Sequence, residues 1–224
     1  MNFEILSGNL NLVNRKSWAG VGKVAAILTS LRNTVIAGIV LSVIMVIVLM
    51  QWHADTIAFD MAWATFFMRW LHVLCGVMWI GILWYFNFVQ IPTMPSIPDE
   101  MKPAIGKHIA PEALFWFRWG AMGTIVTGLL LAWMNGYLVD AIALGITDGV
   151  PKHTAIGIGM WLGAIMWFNV WFIIWPAQQK ALGMVEVEAD VKAAAARTAM
   201  LFSRTNTLLS FPMLYAMVSA QNIY

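Results

Sequence analysis

Long apolar runs constrain this chain more than any other feature. Five stretches, at about 33–51, 63–90, 114–134, 153–175 and 198–218, each approach the roughly 20 residues needed to cross a hydrocarbon layer as a helix. Inside lipid every backbone N–H and C=O must be satisfied within its own segment, which leaves helices or a closed barrel. Runs this long, without strand-like alternation, predict an all-α integral membrane bundle with about five transmembrane helices. The expected organisation is a cytoplasmic N-terminal segment, 1–32, followed by a transmembrane domain, 33–224. Of the 224 residues 61% are hydrophobic and 11% charged, which excludes an ordinary soluble domain. A sixth stretch, "YLVDAIALGI" at 137–146, is too short to span and contains Asp140, so an interfacial segment is expected there.

Lysine and arginine placement orients the bundle. Arg15, Lys16, Lys23 and Arg32 precede the first run; Lys102 and Lys107 follow the second; Lys180, Lys192 and Arg197 follow the fourth. The alternate loops carry only Lys152. The reading is a bacterial inner-membrane protein with a cytoplasmic N-terminus and a periplasmic C-terminus. A net charge of +2 from scattered residues predicts no nucleic-acid partner. The single cysteine, Cys75, excludes an internal disulfide and a cysteine-built zinc site, and no Cys-x-x-Cys-His is present for covalent haem.

All eleven carboxylates lie outside the expected spans, whereas Arg69, Arg118 and Arg204 lie within them. An arginine at membrane depth costs at least about 2.5 kcal/mol and is normally paired or snorkelled. Without a buried acid, an anionic ligand is one partner that could satisfy them, and proton- or sodium-coupled transport is disfavoured.

At 100° per residue, Arg69, His72, Gly76, Leu83 and Asn87 fall within an arc of about 60°, with Trp79 beside it. Gly76, one turn from His72, removes the side chain that would block a flat ring. Histidine with glycine one turn away in a membrane helix suits non-covalent haem b, with His72 as axial ligand and Arg69 near a propionate. The alternative is a histidine hydrogen-bonded to a neighbouring helix. His53, His108 and His153 compete as second ligand. His153 is preferred because it begins a face running through Gly157, Ala164 and Trp171, although five-coordinate iron fits the same pattern.

Toward the cytoplasmic side, Asn87, Asn169, Arg118, Arg204, Thr205 and Asn206 are expected at similar depth. Arginine and asparagine together can bind a planar, hydrogen-bonding anion; the alternative is polar glue between helices. Gly120, Thr124, Thr127 and Gly128 form a small-residue face on the third span, expected to pack closely against another helix. There is also an echo: "WYFNFVQIP" ends the second span and "MWFNVWFIIWP" the fourth, each followed by a polar loop and a span opening near an arginine, as a parallel duplication would give.

Four blocks in order, "RWLHVLCGVMWIGILWYFNFVQIP", "PEALFWFRWGAMGTIVTGLLL", "GAIMWFNVWFIIWPAQQK" and "SRTNTLLSFPMLYAM", resemble the N-terminal membrane domain of the bacterial membrane-bound, cytochrome c-linked urate hydroxylase (urate oxidase) family. The shorter core of His72, Gly76, Trp79 and Gly81 is also similar to membrane proteins that handle haem, protoporphyrinogen or copper. The family resemblance implies oxidation of urate, a small anionic purine, to 5-hydroxyisourate, with electrons passed to a c-type cytochrome. In the family that cytochrome is usually a C-terminal domain outside the cytoplasm. Lacking Cys-x-x-Cys-His, these residues imply a separate cytochrome. Membrane lipid is the remaining expected partner, and a homo-oligomer is left open. Two other readings stand beside this one: a haem b electron-transfer or porphyrin-handling subunit without urate activity, and a non-catalytic subunit of a respiratory complex.

Overall fold

The computed structural model describes residues 27–52 and 59–224, and the chain divides into two units at Phe59/Asp60. The N-terminal lysines and arginines up to Lys23, and His53, lie outside the described residues. Among the described residues every regular element is helical, as the apolar runs require.

The first unit contributes α1, Leu31–Trp52. Its apolar residues face every direction, as in a helix surrounded by lipid. The second unit contains α2 (Met61–Ser96), α3 (Lys102–Met134), the short α4 (Leu138–Ile142), α5 (Pro151–Ala181) and α6 (Ala189–Asn222). Asp60 starts α2 by accepting a hydrogen bond from the Trp63 N–H at 3.0 Å, satisfying one of the free donors of the first turn. Asn135 follows α3, and Gly136 turns the chain at φ 78°, a conformation glycine reaches without a Cβ clash.

Four helices, α1, α2, α3 and α5, are long and apolar enough to cross a membrane. The fifth expected span lies inside α6, which has the length, 34 residues, but not the average composition. The reason is an inverted amphipathic pattern. Ser203, Asn206, Ser210 and Ser219 are buried, whereas Leu201, Leu208, Phe211, Tyr215 and Val218 face outward. Averaging over both faces hides an apolar stripe of the kind a lipid-facing helix shows.

α2 and α3 form one antiparallel hairpin, and α5 and α6 pack as another pair. The small face of α3 does what its composition predicts. A Cβ on Gly120 would lie 3.1 Å from the backbone nitrogen of Trp79, one on Gly123 2.8 Å from Cys75 Sγ, and one on Gly128 2.8 Å from His72 Cε1. The shared core joins Trp79 and Leu83 of α2, Phe117 of α3, Met166 and Val170 of α5, and Met213 of α6.

α2 and α5 share a local irregularity. Residues Tyr85–Gln90 and Asn169–Ile174 form widened turns, in which Ile91 N–H bonds Phe86 O and Trp175 N–H bonds Val170 O, five residues back. Each turn is followed within two residues by a proline, Pro92 or Pro176, which has no N–H to donate.

Candidate functional site

A cavity of about 810 Å³ opens among α2, α3, α5 and α6. That lies near the upper end of the roughly 300–1,000 Å³ typical of small-molecule and cofactor sites. Its walls are mostly apolar. Polar character gathers at one end, where Arg69 and His72 of α2 meet Tyr137 and the α6 terminus at Gln221 and Asn222.

His72 is half-buried, with its Nδ1 3.1 Å from Thr127 Oγ1. The Thr127 hydroxyl has one proton and directs it to the Gly123 carbonyl at 2.6 Å. With its proton on that carbonyl, Thr127 can accept from the Nδ1–H tautomer of His72, in which Nε2 carries the lone pair; a metal-ligating histidine has the same arrangement, its other nitrogen donating to an outer partner. Spacing singles out His72, which lies on the cavity wall; it reads Thr127 only as packing, because the hydroxyl's contact depends on the α2–α3 register.

Three glycines on the cavity wall differ from the packing glycines of α3. A Cβ on Gly76, Gly81 or Gly163 would meet nothing within 4 Å. Trp79, 1% exposed, and Trp167 also line the cavity, and the indole N–H of each has no acceptor. A free imidazole nitrogen, open glycine walls and unpaired indole donors in an apolar cavity fit a large flat ring such as haem b. Arg69 is exposed at the lip, within reach of such a ring's carboxylates.

His153 does not join His72. Its ring stacks on Tyr137 with centroids 5.5 Å apart, and its Nδ1 is paired with Asp148. It sits behind Tyr137 rather than on the cavity wall, which corrects the expected pairing of the two histidines across one iron. Of the face read from His153, Gly157 packs on the Ala141 carbonyl and Ala164 lines the cavity. His108 is exposed near the start of α3. Burial pushes the Tyr137 phenol above its usual range, while Arg69 pulls the other way. The Asp148 carboxyl is held below the usual range, first by the hydrogen bond from Val150 N–H.

The arginine–asparagine group at the other end is not assembled into a pocket. Asn169 Nδ2 donates to Asn206 Oδ1 at 2.8 Å, and Asn206 Nδ2 donates to the Met166 carbonyl at 2.9 Å, with Asn206 fully buried. Asn87 Nδ2 donates to Ser203 Oγ at 2.8 Å and to the Leu83 carbonyl at 2.9 Å. Arg118 lies 3.3 Å from the Trp175 ring centroid and 5.7 Å from that of Trp171, and its Nε donates to the Leu114 carbonyl. Arg204 and Thr205 are exposed. Two residues along a helix is about 200° of rotation, so Arg204 faces away when Asn206 faces in. The alternative of interhelical polar glue therefore describes these asparagines, and Arg204 is corrected to an outward-facing residue. Near this end a depression of about 440 Å³ in the α5–α6 loop carries Lys180 and Lys192 beside Glu186 and Glu188.

Residues 145–223, which contain α5 and α6, match the family model described as urate oxidase N-terminal. No curated protein and no solved structure matches the chain. The matched segment includes two of the four blocks that carry the sequence resemblance and supplies one side of the cavity, through Gly163, Trp167 and Met213. Over residues 145–223 the chain is thus similar to the urate oxidase N-terminal family.

Proposed function

We propose that this chain is a membrane redox protein of urate oxidation, with haem b held by His72 and electrons passed to a c-type cytochrome. Oxidation of urate to 5-hydroxyisourate takes up one water and releases two protons and two electrons. Haem, when bound, supplies a one-electron acceptor. The chain's own residues bind and orient. His72 presents Nε2, Thr127 holds the proton on Nδ1, Arg69 offers a cation to carboxylates or to the urate anion, and the apolar walls exclude water. The carrying observation is the hydrogen-bond chain from His72 Nδ1 through Thr127 to the Gly123 carbonyl, beside an open, glycine-walled cavity.

A second reading is a haem b electron-transfer or porphyrin-handling subunit without urate activity. It is favoured by the engagement of Asn87, Asn169 and Asn206 with Ser203, with one another and with backbone carbonyls, which uses these side chains to join helices. An absorption spectrum of the purified chain, before and after urate and oxidised cytochrome c, separates the readings. A Soret band with urate-dependent cytochrome reduction is expected. A Soret band without that reduction selects the second reading. Absence of a Soret band removes the cofactor and leaves a non-catalytic subunit of a larger complex.

A further inference from the structure

The echo between α2 and α5 is longer than the aromatic–asparagine ending. "MWIGILWYFN" at 78–87 and "MWLGAIMWFN" at 160–169 align without a gap, with Met78/Met160, Trp79/Trp161, Gly81/Gly163, Phe86/Phe168 and Asn87/Asn169 identical. The structure repeats the likeness. Both segments run into a widened turn, both asparagines donate to α6, and both helices pair with the helix that follows. The aligned glycines, Gly81 and Gly163, both line the cavity, and a Cβ on either meets nothing within 4 Å. Packing glycines in this protein behave differently: Gly120, Gly123 and Gly128 have neighbours at 3.1 Å or closer. Gly81 and Gly163 are therefore not glycine to let helices touch.

We infer that the cavity is a slot shared by two copies of a duplicated helix pair, and that it takes one flat tetrapyrrole-sized ring between the Gly81 wall and the Gly163 wall. Three independent features point to a ligand there. The space is large, a purine filling only a small part of it. Trp79, almost wholly buried on its wall, has an indole N–H with no acceptor. The absence of a side chain recurs at the aligned position of both copies. The copies differ in ligation. The position aligned with His72 is Thr154, whose hydroxyl is used on the Leu144 carbonyl at 2.9 Å. Nitrogen ligation thus comes from the first copy alone, and the second contributes shape.

The inference rests on the proposed function only for the iron, so the decisive probe is metal-free protoporphyrin IX, followed by quenching of tryptophan fluorescence in the full chain. Wild type and His72→Ala should both bind it. Gly81→Leu and Gly163→Leu should each lose binding to background while keeping the wild-type elution volume and melting temperature. Leucine favours a helix more than glycine does, so loss of the ring would not report a weakened helix. Should a leucine variant fail to fold, the Gly81→Ala/Gly163→Ala double variant is measured instead, and weaker binding is expected. Wild-type affinity in the glycine variants, or no binding by wild type, overturns the slot. Haem bound through His72 alongside unaltered porphyrin binding in the leucine variants would sink the slot and leave the cofactor standing. Porphyrin binding that needs the glycines, with no haem in wild type, would do the reverse.

Discussion

His72 is the proposed haem ligand, and its contact with Thr127 crosses from α2 to α3. Thr127, 55 residues away, faces His72 Nδ1, and its hydroxyl donates to the Gly123 carbonyl, which suits the tautomer with the proton on Nδ1. His72→Ala should therefore abolish bound haem while the protein still inserts, and a wild-type haem spectrum in that variant would end the assignment. Thr127→Val should retain the fold but weaken haem retention about 10- to 100-fold, the range seen when an outer partner of a metal ligand is lost. Thr127→Ser should restore it, a rescue that a purely packing role for the methyl group would not give. His153→Ala should leave the haem spectrum unchanged, because that ring is engaged by Asp148 and Tyr137.

Asp148 has its own pH dependence. Its folded pKa is depressed, so its contribution to local order is complete above the ordinary carboxylate range and is lost as pH falls through the folded value. Amide exchange in residues 145–153 should rise on acidification and stay flat from neutral pH upward. Equal protection at acid and neutral pH would show that the Val150 and His153 contacts do not order the loop.

At the scale of elements, α6 shows most clearly where periodicity stops. Its sequence places Arg204 and Asn206 two residues apart, and the helix rotation decides that only Asn206 enters the bundle. Removing one partner of a buried hydrogen-bonded pair costs about 1–3 kcal/mol, because the other is left unsatisfied. Asn206→Leu should thus lower the melting temperature clearly while the haem content of the folded fraction is kept. Arg204→Gln should stay within about 0.5 kcal/mol of wild type, as surface changes usually do, with unchanged urate turnover. Loss of turnover per haem in Arg204→Gln would return that arginine to a substrate site and contradict its outward orientation. Arg118 is different again: its Trp171 partner lies in the widened turn of α5 and its Trp175 partner directly after it, and sequence spacing had no way of naming them.

For the whole molecule, α6 decides the number of spans. Average composition gives four, while the outward apolar stripe of α6 argues for a fifth. Nine lysines and arginines in the expected inner segments against one outside predict a cytoplasmic N-terminus. Together these predict that a reporter enzyme active only in the periplasm, fused after Tyr224, is active. Activity of a cytoplasm-only reporter at the same position would mean an even number of spans or the opposite orientation.

By itself the sequence determined the helical class, the apolar lengths, the small face of α3, the His72–Gly76 spacing and the family resemblance. These are properties of composition and of one helix's own period, and the hydrocarbon solvent leaves the backbone almost no alternative. Only the tertiary structure decided which side chains meet. Thr127 meets His72 Nδ1, Asn169 turns to Asn206, His153 pairs with Asp148, and Gly81 and Gly163 both open on one cavity. A helix's period fixes which of its residues share a face, but the partner of that face depends on rotation and register between helices. Those are set by packing summed over the whole bundle, and no local stretch of sequence contains them.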